Sequence, residues 1–238
     1  MKFLIIGDSW ALGEWRPQGQ NREITLIPNT SVAWYLTQAG HEVRNLGASS
    51  AGNFGQLRFC NSFLQSESRW DYIVWLQTEP IRDVTDIVFK DIDGDQQFPD
   101  FAKYKDFDQA MHYVNTQNYR YAQQMFDSFA IPFVVVGGLG KLSQTITQFD
   151  FCCFAIDSWA SEILKIPDLA HNLLNRSGDI ETIHRCNFEK NSVIAAMNQS
   201  LQYQEAMRDS ESFPDSGHPD GDQHQWLAEQ ILEYVGKI

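Results

Sequence analysis

The chain has 238 residues, with 18 Lys and Arg against 31 Asp and Glu, a formal charge of −13. Hydrophobic residues at 43% and charged residues at 21% describe a globular chain that can bury a sizeable core, and exclude a disordered or collagen-like one. The acidic balance argues against a nucleic-acid backbone or an anionic membrane as the main partner. No apolar stretch approaches the roughly 18–20 residues that span a bilayer.

Phe3-Leu4-Ile5-Ile6, stopped by Gly7, predicts a buried parallel strand. The apolar run there is too short for a signal peptide. Residues 30–39 predict a helix with Asn29 or Thr30 as cap and Gly40 as stop. A second strand over 41–46 leads into the small-residue loop Gly47 to Asn53, and a helix follows to about Gln65. Asp71 to Leu76 predicts a third strand with Pro80 in its exit loop, and residues 83–107 read as an acidic insertion. Residues 108–129 predict a helix, and Ile131 to Val136, closed by Gly137-Gly138, a fourth strand. Residues 145–185 read as a second insertion in which 149–156 form a strand or a buried helical turn. Residues 188–208 predict a helix, and 224–235 a last amphipathic one with Trp226, Leu227, Ile231 and Leu232 on its apolar face. Strands alternating with helices predict a parallel sheet covered on both faces, in one α/β domain spanning 1–238.

Functional residues of an open parallel sheet gather where strands end at their carboxyl edge. The loops placed there are Gly7-Asp8-Ser9-Trp10, Gly47 to Asn53, and Gln77-Thr78-Glu79-Pro80. A serine needs a base with an orienting partner to act as a nucleophile. Asp215-Ser216-Gly217-His218-Pro219 supplies both, because a turn at Ser216-Gly217 folds the carboxylate back onto the imidazole and fixes its tautomer. His224 competes as a base, but it stands where a helix opens and reads as a capping or packing residue.

At these residues the sequence resembles the SGNH hydrolases, or GDSL-type esterases and lipases. Their first block is Gly-Asp-Ser after the first strand, matched by Gly7-Asp8-Ser9. Their last is Asp-x-x-His before a helix, matched by Asp215 to His218. The resemblance implies a three-layer, flavodoxin-like α/β/α sandwich, with Ser9 as nucleophile, His218 as base and Asp215 as its orienter, working without metal or cofactor. It favours a small acyl group, such as acetyl on a carbohydrate, as the part removed from a small-molecule ester. The family's second block gives an oxyanion donor from a loop glycine, which falls here on Ser50 without a gap or on Gly52 with one. Its third block, Gly-x-Asn-Asp, aligns with Gln77 to Pro80, so Glu79 stands where an asparagine amide is usual. An ionised carboxylate there would repel the oxyanion, and losing one donor costs about 10²–10³ in rate. Either Glu79 points away and Gln77 or Asn53 supplies the amide, or the hole is weakened. The second outcome describes a weak or inactive binding or structural module on the same fold.

Other features have plainer readings. Asp91 to Asp95 has its glycine too early for an EF-hand. Gly47 to Gly52 lacks the lysine of a P-loop. Trp10 and Trp15 are candidates for substrate contact, with Glu79 beside them, while Asp220 and Asp222 read as solvated acids near a helix start. Cys60, Cys152, Cys153 and Cys186 lack CxxC spacing and read as buried thiols. With no leader or spanning segment, the expected location is cytoplasmic. Oligomeric state and substrate identity leave no mark in the sequence.

Overall fold

The computed structural model describes residues 1–18, 23–49, 51–67, 69–78, 80, 83, 107–138, 142–163, 165–166, 169 and 219–236. Five strands form one parallel sheet: β1 (Lys2–Gly7), β4 (Glu42–Asn45), β5 (Tyr72–Gln77), β6 (Phe133–Gly137) and β7 (Cys152–Ile156). The sheet order is β4-β1-β5-β6-β7, every neighbouring pair parallel. Counting these strands in chain order gives 2-1-3-4-5, the flavodoxin-like order, whose direction reverses between β1 and β5.

Alternation along each strand builds the layers. Phe3, Ile5, Val74, Leu76, Val134 and Val136 face one core, shared with α1 (Ser9–Leu12), α2 (Val32–Gln38), α5 (Trp159–Ile163) and α6 (Gly221–Val235). Leu4, Ile6, Ile73, Trp75, Phe133 and Val135 face the other, shared with α3 (Asn53–Leu64) and α4 (Phe107–Phe129). With both sides apolar, the strands read as continuous hydrophobic runs. The result is the expected three-layer sandwich. No helix among the described residues is long and apolar enough to cross a membrane.

Some local expectations are corrected. A hairpin, β2 (Trp15–Gln18) and β3 (Glu23–Leu26), pairs antiparallel between α1 and α2; Pro17 suppressed its strand signal, since proline is confined to edges and bulges. Ser31, not Asn29 or Thr30, caps α2 through its side chain. Asn29 is left-handed at φ 62°, and the Thr30 hydroxyl is bonded to the Glu14 amide and the Ile27 carbonyl. Residues 152–156 are a strand, preceded by a 3₁₀ turn over Gln144–Gln148. The final helix starts three residues earlier than the sequence suggests, and Asp220 is its buried cap rather than a solvated acid, in a reciprocal capping box with Gln223. Its buried face carries His224, Leu227, Ala228, Ile231 and Val235, with Trp226 and Leu232 half-buried. The helix expected over 188–208 lies outside the described residues.

Candidate active site

The exit of β1 is built around a close approach. A Cβ on Gly7 would sit 2.7 Å from the Ala11 Cβ and 2.9 Å from the Leu76 Cβ, and one on Gly47 would sit 2.8 Å from the same Ala11 carbon. Only hydrogen at both positions lets α1 turn so tightly over the ends of β1 and β4. Asp8 caps the turn, its Oδ1 accepting from the Trp10 N–H at 2.9 Å. Ser9 is therefore the first residue of α1, at the carboxyl edge of the sheet and beside the point where strand order reverses.

Side chains lace this exit to its two neighbours. Thr78, just past β5, donates its hydroxyl to Asp8 Oδ2 at 3.0 Å. The Asn53 amide opens α3 and grips the Thr78 backbone both ways, accepting from its N–H at 3.0 Å and donating to its carbonyl at 2.9 Å. Asp83, assigned from sequence to a solvated insertion, is buried; it accepts from the Phe54 N–H at 2.9 Å and from the Asn118 amide at 2.8 Å. It thus caps α3 from a distance, where Gly52 has no side chain to do so. Gln77 is held from α4, donating to Asn115 Oδ1 and accepting from the Tyr119 hydroxyl, both at 3.1 Å. Burial pushes the Tyr119 phenol above its ordinary pKa, partly opposed by its bond to Gln77, and so keeps it a donor.

Asn53 and Gln77, candidate oxyanion donors, therefore have their amides turned to partners inside the protein. Gly52 is buried at the start of α3. Ser50 and Glu79 lie outside the described residues. Trp10 is largely buried, edge-on to Trp159 at 5.4 Å between centroids, and lines a crevice with Asp8, Leu76, Gln77, Thr78, Val136, Gly138 and Trp159. Trp15, half-buried, donates its indole N–H to the Ser9 carbonyl at 2.9 Å.

The far end of the chain meets this edge at two points. Trp159 carries Trp10 on one side and His224 on the other, the second pair 5.0 Å apart and also edge-on. The Gly221 N–H, first in α6, donates to Glu14 Oε2 at 2.9 Å. His224 is fully buried, which matches its reading as a packing residue. Asp215 and His218 lie outside the described residues, as do Asp91 to Asp95 and Cys186. Pro219, next to His218, is buried. Among the described residues no group of three or more His, Cys, Asp or Glu is placed to hold a metal ion.

Glu14, Thr78, Asp83 and Trp159 were not singled out from sequence. Their partners stand 207, 70, 35 and 149 or 65 residues away, and no local pattern announces such contacts.

No family model matches the chain, and no curated protein matches it. Among solved structures it is similar to the psychrotrophic esterase EstA from Pseudoalteromonas sp., at 10% identity and a TM-score of 0.49, over 99% of this chain and 97% of that one. It is also similar to TesA, at 11% identity and a TM-score of 0.45, over 100% and 99% of the two chains. A catalytic mutant of an acetylxylan esterase from Geobacillus stearothermophilus matches at 13% identity and a TM-score of 0.41, over 99% and 94%. The fold assignment itself rests on the strand order and the two helical layers.

Proposed function

We propose that this protein is a serine ester hydrolase of the SGNH type, with Ser9 as nucleophile, His218 as general base and Asp215 as its orienter. The observation that carries the reading is the meeting of the two chain ends at one sheet edge. Ser9 opens α1 at the switch point, and the start of α6 is bonded to Glu14 five residues further on. Three residues separate His218 from Gly221, a reach of about 11 Å at most, so the imidazole belongs to the same neighbourhood.

In this reading Ser9 Oγ attacks the ester carbonyl while His218 takes its proton. The imidazolium, steadied by Asp215, then protonates the departing alkoxide. Water hydrolyses the acyl-enzyme by the reverse sequence of proton transfers. The oxyanion is held by backbone N–H groups of Ser9 and of the Ser50–Gly52 loop. Asn53 and Gln77 act by fixing the loops rather than by donating. The assigned substrate class is an ester of a small acyl group, O-acetyl carbohydrate included. The crevice walled by Trp10 and Trp159 suits a short chain, and the net charge of −13 suits a neutral molecule over an anionic one.

The test is turnover of p-nitrophenyl acetate together with labelling by an activated phosphonate. Hydrolysis should vanish in Ser9→Ala, the phosphonate should map to Ser9, and activity should fall on acidification as the base protonates. Hydrolysis that survives Ser9→Ala refutes the assignment. Folded protein with neither turnover nor label identifies a binding module on this fold instead.

A further inference from the structure

We infer that Glu14 is a positioning residue for this reaction, a buried carboxylate that sets where the base-bearing end of the chain stands relative to Ser9; the inference rests on the hydrolase reading above. Its backbone is fixed first. Gly13 turns the chain at φ +132°, where a Cβ would lie 3.0 Å from Thr30 Oγ1. The Glu14 N–H donates to that hydroxyl at 3.0 Å, and its carbonyl accepts from the Ile27 N–H at 2.8 Å. The side chain is then committed in one direction, with only 3% of the residue exposed and Oε2 on the Gly221 amide.

A carboxylate is costly to bury unless it is paired. Here the compensation comes from the amino end of a 15-residue helix, where unbonded N–H groups and the aligned peptide dipoles favour negative charge. Asp220 already caps that helix through the Gln223 N–H, so end-capping alone does not call for a second acid. Glu14 takes the first N–H instead, across 207 residues of sequence. Burial raises the pKa of the nearby Tyr35 phenol, and the negative charges of Asp222, Glu14 and Asp220 raise it further, consistent with acidic groups gathered tightly at this junction. The bond converts a surface helix end, which water could satisfy, into a fixed joint. Its two sides are the loop after α1, five residues from Ser9, and the first residue of α6, three residues from His218.

A joint of this kind acts on the transition state through geometry. A displacement of about 1 Å in a catalytic pair can cost up to roughly 10² in rate without altering how the ester binds. Glu14→Ala removes the bond. Glu14→Asp keeps the charge but is one methylene too short to reach. Glu14→Gln keeps an acceptor oxygen at full length. Expected are a fall in kcat and in the rate of Ser9 phosphonylation, in parallel and by tens of fold, for Ala and Asp, with KM little changed and Gln close to wild type. Val235→Ala, at the other end of α6 and in its buried face, serves as the stability control and should lower the unfolding midpoint while leaving kcat intact. Wild-type kcat in Glu14→Asp, a Gln variant as impaired as Ala, or equal loss in Val235→Ala would overturn the inference. If Ser9→Ala and His218→Ala are dead while Glu14→Asp and Glu14→Ala are fully active, Glu14 alone is misassigned. If Ser9→Ala retains activity, the hydrolase reading beneath it has failed.

Discussion

Replacing Asn53 by alanine tests whether the carboxyl edge of the sheet is held together by polar lacing. The amide is fully buried and makes two bonds to one peptide unit, 3.0 Å from the Thr78 N–H and 2.9 Å to the Thr78 carbonyl. Truncation orphans a buried donor and a buried acceptor. At about 1–3 kcal/mol for each unsatisfied group, the loss comes to roughly 2–5 kcal/mol, at the lower end if water enters the space left behind. For a chain of this size that corresponds to a drop in Tm of roughly 5–20 °C. Urea unfolding followed by tryptophan fluorescence should show a lower midpoint at unchanged slope. The effect should reach activity too, since Thr78 holds Asp8, the cap on which Ser9 stands. Asn53→Asp sharpens the test. Its carboxylate can still accept from the Thr78 N–H but sets an oxygen against the Thr78 carbonyl. Protonating it restores a donor, so this variant should gain stability relative to wild type as pH falls. A midpoint for Asn53→Ala within about 0.5 kcal/mol of wild type, the range of ordinary surface changes, would refute the reasoning.

Two further expectations follow from buried or crowded titrating groups. Burial pushes the Cys60 thiol up to about 12 and the Cys152 thiol up to about 11, so iodoacetamide at pH 8 should leave both unlabelled in the native protein and label both in urea, as read by peptide mass mapping. His41 lies edge-on to Phe3 at 5.5 Å and near the N-terminal ammonium; burial first, and then that positive charge, lower its pKa from 6.5. A depressed histidine contributes stability that is fully present above its unfolded pKa and lost as pH falls through the interval down to its folded one. Urea midpoints should therefore decline from pH 7.5 to pH 5 less steeply in His41→Gln than in wild type, and identical slopes would exclude this contribution.

The strands of the sheet were legible because burial on both faces leaves each as an unbroken apolar run, as in Phe3 to Ile6 and Phe133 to Val136. Given those strands, the rule that sites collect at their carboxyl ends placed Ser9 correctly at the edge where β1 and β5 diverge. The β2–β3 hairpin was hidden because Pro17 breaks the local signal of a strand that is satisfied only by its partner. The start of α6 was written in its Asp220-x-x-Gln223 box, but the apolar period begins later and masked it.

Periodicity, caps and turns are settled between residues a few positions apart, and these the sequence determined by itself: the alternation of elements, the glycine-tight exit of β1, and the acidic, spanless character of the chain. Tertiary structure alone decided which polar groups meet at the sheet edge. Asn53 on Thr78, Thr78 on Asp8, Asp83 on Asn118 and Glu14 on Gly221 each join residues 25 to 207 positions apart. Such pairs carry no spacing rule, because what selects them is the need of a buried donor or acceptor for whatever partner the folded sheet brings within about 3 Å.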